Sequence, residues 1–297
     1  MNVIGKTLLI TGALCAVTAG QTSQAWKIDA NTNLTTAVNS YSDNWVSGEA
    51  GSFTWASQFL GVAEKLFSSE INTKTTLNLQ FGQTEVQDKT TKQWGSPQKS
   101  TDLIDGEELL RYITNSWVDP FVSVRAIGEF VDGSDTLLKR YFNPFNITEA
   151  LGVSRTIVKN TSTEWSTRIG GAARQVVDRQ HLDTSTGERK TDVTNDGGFE
   201  LNMNLKAENK AKWASLLSSL RVYEAVVSSK ADAFKGTDQE NYWRFPHVQW
   251  ENTFVLTFAK YLMLNVSAYV MYDKDINVNV RLKETFSAGL TYMYSKK

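Results

Sequence analysis

Apolar and polar residues alternate one by one along most of this chain, and helical periodicity is nearly absent. Within 199–208, Phe199, Leu201, Met203, Leu205 and Ala207 alternate with Glu200, Asn202, Asn204, Lys206 and Glu208. Val248, Trp250, Phe254, Leu256 and Phe258 alternate with Gln249, Glu251, Thr253, Val255 and Thr257, with Asn252 a polar exception on the apolar face. The same period runs through Leu262–Tyr272, Phe286–Tyr294, Ile71–Phe81 and Val122–Phe130. A period of two puts the two classes on opposite faces of a strand. It predicts twelve strands, at 33–41, 53–64, 71–85, 102–113, 120–131, 146–158, 164–179, 197–209, 213–227, 246–258, 261–273 and 281–294. Most exceed the roughly 9–11 residues a tilted strand needs to cross a bilayer.

The connections sort by length. Long ones (86–101, 180–196, 228–245), rich in Ser, Thr, Asp, Gly and Lys, alternate with short ones (114–119, 159–163, 210–212 and the Ala259-Lys260 link). Trp117, Trp165, Trp213 and Tyr261 each fall at a short turn, at a constant spacing (165 − 117 = 213 − 165 = 261 − 213 = 48). Tyr292 and Tyr294 fall at the same end of the last strand. Amphipathic rings favour the headgroup zone, so this row reads as one aromatic girdle. Tyr41, Trp45, Trp55, Tyr242 and Trp243 are expected at the other rim. The fold expected is an all-β, transmembrane, antiparallel up-and-down β-barrel of about twelve strands, with short periplasmic turns and long outer loops.

Alternation alone leaves open which face looks inward, since a lipocalin-like barrel has the same period in the opposite sense. The girdle, the loop asymmetry and the charged polar face favour lipid outside. The lumen then gathers Lys74, Arg125, Glu129, Arg168, Glu200, Lys206, Glu251 and Lys283. Such charges persist when hydrated or paired, so the lumen is either a water-filled channel or a ladder of ion pairs. Neither sign is in excess, and strong ion selectivity is not expected. Glu284 shares parity with Phe286 and must lie near the outer rim. There a lipid-facing charge costs roughly 0–1 kcal/mol. Glu107 and Glu108 are neighbours in a strand and point to opposite faces.

Residues 1–25 read as a secretory signal: Lys6, the apolar run Thr7 to Val17, and Ser23-Gln24-Ala25 before a cut at Trp26. Residues 26–297 are then one barrel domain. The one cysteine, Cys15, lies in the signal and lacks a lipoprotein context. The barrel therefore has no disulfide, thiolate metal site or Cys nucleophile. Formal charge is −1 for the whole chain, with no basic block for nucleic acid. Hydrophobic residues make up 41 %, which excludes a bundle of apolar helices.

With these features in view, the chain resembles the bacterial outer-membrane barrels grouped as domain of unknown function 3078 (DUF3078). The matching residues are Asn44-Trp45 with Gly48, Phe142-Asn143-Pro144, and the closing run Leu282-Lys283-Glu284-Thr285-Phe286-Ser287-Ala288-Gly289-Leu290-Thr291-Tyr292. The resemblance implies an outer-membrane location and a barrel, and no activity. Such barrels end on an aromatic read by the barrel-insertion machinery, whereas this chain ends Tyr294-Ser295-Lys296-Lys297. The partners expected are outer-membrane lipid, that machinery during biogenesis, and a small solute of unspecified kind.

No catalytic, cofactor-binding or metal residues are expected. His181 and His247 lack metal spacing, and His247 reads as a polar rim residue. Ser267 and Ser287 share lumen parity, but no Gly-x-Ser-x-Gly surrounds any serine. Asp192 to Gly198 lacks the spaced ligands of a calcium loop. The reading is a non-enzymatic envelope protein, a narrow passive pore or transport-related barrel. A membrane-embedded enzyme acting on lipids and a soluble secreted ligand-binding β-protein are its rivals.

Overall fold

A computed structural model of the chain describes residues 25–41, 50–114, 116–135, 137–183, 186–232, 234–258 and 261–296. Residues 1–24 of the expected signal, with Lys6 and Cys15, lie outside these, as do Asn44, Trp45, Gly48 and the Ala259-Lys260 link. Twelve long strands close into one antiparallel barrel: β1 (Lys27–Asn39), β2 (Ser52–Leu66), β3 (Ile71–Val86), β4 (Gln98–Tyr112), β5 (Asp119–Gly128), β8 (Phe145–Lys159), β9 (Thr163–Leu182), β10 (Arg189–Glu208), β11 (Ala214–Ser228), β12 (His247–Phe258), β13 (Leu262–Asp273) and β14 (Asn277–Lys296). Two short strands, β6 (Val131–Asp132) and β7 (Arg140–Tyr141), pair with each other in the β5–β8 connection. β1 closes the ring on β14, from Ile28 opposite Lys296 to Thr35 opposite Gly289. Closure leaves no sheet edge to face lipid, the condition for a β-structure to span a bilayer.

The apolar face looks out. Phe199 is 63 % exposed and Glu200, beside it, 8 %. Leu151, Ile169, Val122, Phe254, Phe286 and Leu290 are likewise exposed, while Ser123, Arg168 and Asn202 are buried in the ring. A water-soluble ligand-binding barrel would show the reverse sense. Trp117, Trp213, Tyr261, Tyr292 and Tyr294 are exposed at the short-turn end, and Trp165 lies on the same outward face. Trp26 joins them, edge-on to Phe67 at 6.1 Å. The polar exception Asn252 also faces out. It accepts a hydrogen bond from Ser218 Oγ (2.7 Å), which in turn accepts one from Trp250 Nε1 (3.2 Å). Glu284 sits between outward Leu282 and Phe286, eight residues above Tyr292 (292 − 284 = 8). At about 2.5 Å of height per residue in a tilted strand, that is near the top of a belt roughly 25 Å tall.

Four expectations need correction. The first strand starts at Lys27, not 33, and the last at Asn277, not 281. The supposed long loop 180–196 is mostly strand, since β9 runs to Leu182 and β10 starts at Arg189. Beyond the bilayer both faces of a strand are wet, so polar sequence there no longer marks a loop. β6 and β7 are too short to carry a period. Trp243 is not at the rim: it is 6 % exposed and turned inward from a single 3₁₀ turn, Tyr242–Arg244.

Candidate functional site in the barrel lumen

Two lumen walls differ in chemistry. The first runs from β4 to β11 and is ionic. Arg125 of β5 holds both carboxylate oxygens of Asp105 on β4. Arg174 of β9 donates to Asp196 of β10 at 2.6 and 3.1 Å and lies over the Tyr223 ring at 4.4 Å. Arg221 donates from Nε to Asn202 Oδ1 at 2.7 Å, with Glu200 Oε2 at 3.7 Å. Arg168 of β9 reaches Glu107 of β4 at 2.7 Å, past the two strands between them, with its guanidinium 5.4 Å from the Phe121 ring centroid. Glu108, next in sequence, faces out and takes hydrogen bonds from Thr73 and Thr75. The opposite facing expected of this pair is therefore observed. The four arginines and four acids named here balance; Arg111 of β4, on the same wall, donates to Thr156 and Asn72 and pairs with no acid among the described residues. Gly152 and Gly170 face each other on this wall. A Cβ on Gly152 would stand 2.5 Å from Gly170 Cα, so side chains there would force β8 and β9 apart.

The second wall, β13 through β14, β1 and β2 to β3, carries amides and hydroxyls over most of its height. Asn33, Gln58 and Gln80 lie opposite one another on β1, β2 and β3. Asn33 Nδ2 donates to Gln58 Oε1 at 3.3 Å, and Thr291 Oγ1 to Asn31 Oδ1 at 3.2 Å. Asn265, Ser267, Thr285 and Ser287 complete the wall on β13 and β14. The Oδ1 atoms of Asn33 and Asn265 are buried and accept no hydrogen bond among the described residues. Charge on this side is confined towards the ends, with Lys74 and Glu64 low and Arg281 and Lys283 high. Glu251 of β12 interacts electrostatically with Asp105, Arg125 and Lys283.

Of the other lumen residues expected from sequence, Glu129 sits at the long-loop mouth, 2.5 Å from Lys99 Nζ. Lys206 lies at the opposite mouth, 3.0 Å from Glu208. What sequence reasoning missed is the insert. The β11–β12 connection folds inward, and Trp243 packs with Phe121, Ala150, Ala172, Tyr223 and Ala225 of the ionic wall. Lys230 of the same connection holds Asp275 at 3.1 Å. Its only sequence signal was a pair of aromatics, Tyr242-Trp243, which reads equally well as a rim.

The β5–β8 connection is pinned above the ionic wall. Asn143 is 1 % exposed. Its Nδ2 donates to Asp132 (2.9 Å) and Asp178 (2.7 Å), and its Oδ1 accepts the Arg179 N–H (2.7 Å). Arg140 pairs with Asp132 at 2.6 Å and Asp178 at 2.8 Å. Burial works against ionisation of Asp132. Hydrogen bonds from Ser134 and Asn143 and the Arg140 charge outweigh it and hold the carboxyl below its ordinary pKa. Asp135 is lowered to about 2, first by the hydrogen bond from Arg189 and then by the Leu137 N–H.

His247 is buried at the long-loop mouth. Its Nδ1 is 2.9 Å from Asp273 Oδ2, and its Nε2 faces Arg174 at 3.5 Å. An imidazole that serves a serine nucleophile must turn a ring nitrogen to the hydroxyl; here a guanidinium occupies that side. Ser267 lies six residues down β13 from Asp273 (273 − 267 = 6), about 20 Å along a strand. His247, Asp273 and Asp275 bring three potential ligand atoms within 4.8 Å of one another. Lys230 and Arg174 already supply the positive charge that a cation would bring.

No family model matches this sequence, and no curated protein matches it. Solved structures show a distant likeness. The COG4313 outer membrane channel of Pseudomonas putida F1 is 14 % identical, with 94 % of this chain and 100 % of that one covered and a TM-score of 0.44. The translocator domain of the autotransporter NalP from Neisseria meningitidis is 8 % identical over 93 % and 89 %, with a TM-score of 0.38. The β domain of the Bordetella autotransporter BrkA is 10 % identical over 92 % and 100 %, with a TM-score of 0.35. At these scores the likeness carries no argument about what passes through this barrel.

Proposed function

We propose that this chain is a bacterial outer-membrane protein that acts as a narrow passive pore for small polar solutes, with the β11–β12 insert restricting the passage. One observation carries the reading: an apolar surface girdled by Trp and Tyr encloses a polar, charge-balanced interior. Lipid accounts for the outside, and a hydrated path accounts for the buried acceptors of Asn33 and Asn265. In this reading residues 1–25 direct export, the short turns are periplasmic, and the barrel-insertion machinery folds the chain. Kinship with the DUF3078 barrels belongs to the same proposal, resting on Phe142-Asn143-Pro144 and the closing-strand motif.

The test is conductance in planar bilayers, using protein whose folded state is verified by heat-modifiable mobility in detergent gels. Wild-type protein gives small, weakly ion-selective steps. Trp243→Ala gives larger ones, because it removes the bulk of the insert without touching an ion pair. Folded protein that carries no current, with Trp243→Ala equally silent, rejects the pore.

A further inference from the structure

At the short-turn end, β5 begins at Asp119, opposite Ser154, while β8 runs on to Lys159. The stretch of β8 from Arg155 downward therefore pairs with β9 alone. The wall is notched there. The notch holds a cleft of about 220 Å³ lined by Ser116, Trp117, Asp119, Ser154, Arg155 and Thr156. Arg111 bars its lumen side by donating to Thr156 at 3.3 Å. Its outer side opens beside Trp117, 75 % exposed in the aromatic row that marks the headgroup level.

Two charged groups in this cleft are incompletely satisfied. The Arg155 guanidinium stacks on the Trp117 ring at 4.7 Å and makes no hydrogen bond or ion pair among the described residues. Asp119 Oδ1 accepts from Thr114 N at 3.0 Å and Thr114 Oγ1 at 3.4 Å, while its Oδ2 accepts nothing among the described residues. A cation and a carboxylate oxygen thus share one small cleft without bonding each other. The cleft is smaller than the roughly 300–1,000 Å³ of a pocket for a drug-sized ligand, and Trp117 places it at the level of the aromatic row.

We propose that this notch binds the headgroup of a phosphoethanolamine lipid from the adjoining leaflet. The phosphodiester takes Arg155, whose planar fork suits two phosphate oxygens. The ammonium takes Asp119 Oδ2. The acyl chains lie along the outward face of β8, past Val153 and Leu151. An anionic headgroup without an ammonium satisfies Arg155 but leaves Asp119 unpaired beside a phosphate, so it binds less well. The site makes no use of conduction, so it stands or falls apart from the pore reading.

The experiment is native mass spectrometry of full-length folded protein released from vesicles of equal phosphatidylethanolamine and phosphatidylglycerol. Wild-type protein retains one phosphatidylethanolamine in preference to phosphatidylglycerol. Arg155→Gln lowers retention of both about tenfold or more, the effect of removing a charge-assisted contact. Asp119→Asn keeps the Thr114 contacts and lowers only the preference, to near parity. If Arg155→Gln fails to fold, Trp117→Leu serves in its place and lowers retention of both lipids. Soluble glycerophosphoethanolamine at millimolar concentration leaves the lipid in place. Equal retention of the two lipids by wild-type protein, or retention unchanged in the Arg155 and Trp117 variants, overturns the proposal. So does a preference unchanged in Asp119→Asn, or displacement by the soluble compound.

Discussion

The two walls of the lumen solve one problem in different ways. Each must present polar groups to an enclosed space while its other face meets lipid. The β4–β11 wall does so with arginine–carboxylate pairs locked by mutual contact, most of them well buried. The β13–β3 wall uses amides and hydroxyls that bond sparsely to one another. Buried polar atoms without a partner among the described residues occur on both, Arg111 Nε, Arg168 Nη1 and the Tyr223 hydroxyl on the first and the Oδ1 atoms of Asn33 and Asn265 on the second. A buried charge must be paired, because desolvation costs it several kcal/mol. A buried amide can be completed by water. The first wall is therefore committed to one arrangement, and the second is free to exchange partners with whatever fills the lumen. The insert touches both sides, since Trp243 packs against the first and Lys230 holds Asp275 at the top of the second.

The largest effect expected from this contrast comes from breaking the pair that bridges β4 and β9. Glu107→Ala leaves Arg168 buried without its partner and should destabilise the barrel by about 3–5 kcal/mol, read as a lower urea midpoint for folding into lipid vesicles. Replacing both residues, Arg168→Met with Glu107→Leu, should recover most of that loss. If the single variant unfolds at the wild-type midpoint, the ionic wall is not the committed one.

Next comes the matched change on the other side. Asn33→Ala removes one hydrogen bond of 3.3 Å from a wall that water can complete, and should cost about 1 kcal/mol or less. A loss as large as that of Glu107→Ala would erase the distinction between the walls. Charge sharpens it further. Ser287→Lys puts an unpaired cation on the neutral wall at little cost in stability and, if the proposed pore conducts, should shift its reversal potential towards anion preference. Asp105→Asn frees Arg125 and should shift it the same way, but with a clear loss of stability.

How much of this was legible in the sequence follows the same physics. The alternation through Phe199–Glu208 comes from one side facing lipid and the other the lumen, so it reports the strand and its direction together. The Trp117, Trp165 and Trp213 spacing reports the height of a girdle. Both are local consequences of a two-solvent environment. The side of each lumen charge was readable in the same way, as with Glu107 and Glu108. Its partner was not. Arg168 meets Glu107 only because the ring closes with a particular tilt and register, and 61 residues separate them in sequence. The upper parts of β9 and β10 were missed where lipid no longer imposes a pattern. Trp243 was misplaced because a loop that folds back into a barrel has no period to announce it.

The smallest effect concerns what stands above the walls. Over the ionic wall the β5–β8 connection is held by carboxylates: Asp132 and Asp178 on Arg140, and Asp135 on Arg189 at 2.6 Å. Asp132 and Asp135 have folded pKa values below those of an unfolded chain, near 3.9. Their contribution is complete above that unfolded value and is lost as pH falls through the folded one, about 2 for Asp135. Amide exchange across 130–144 should therefore stay slow from neutral pH down to about 4, after allowance for the intrinsic pH dependence, and lose protection between about 4 and 2. The Arg189–Asp135 contact lies near solvent, so the change should be modest and confined to this connection. Over the same acid range β1 and β2, whose lumen faces meet through amides and hydroxyls in the middle of the barrel, should keep their protection. If acid released both regions together, the two sides of the barrel would be a single cooperative unit, and the difference in their chemistry would have no consequence for how the mouth opens.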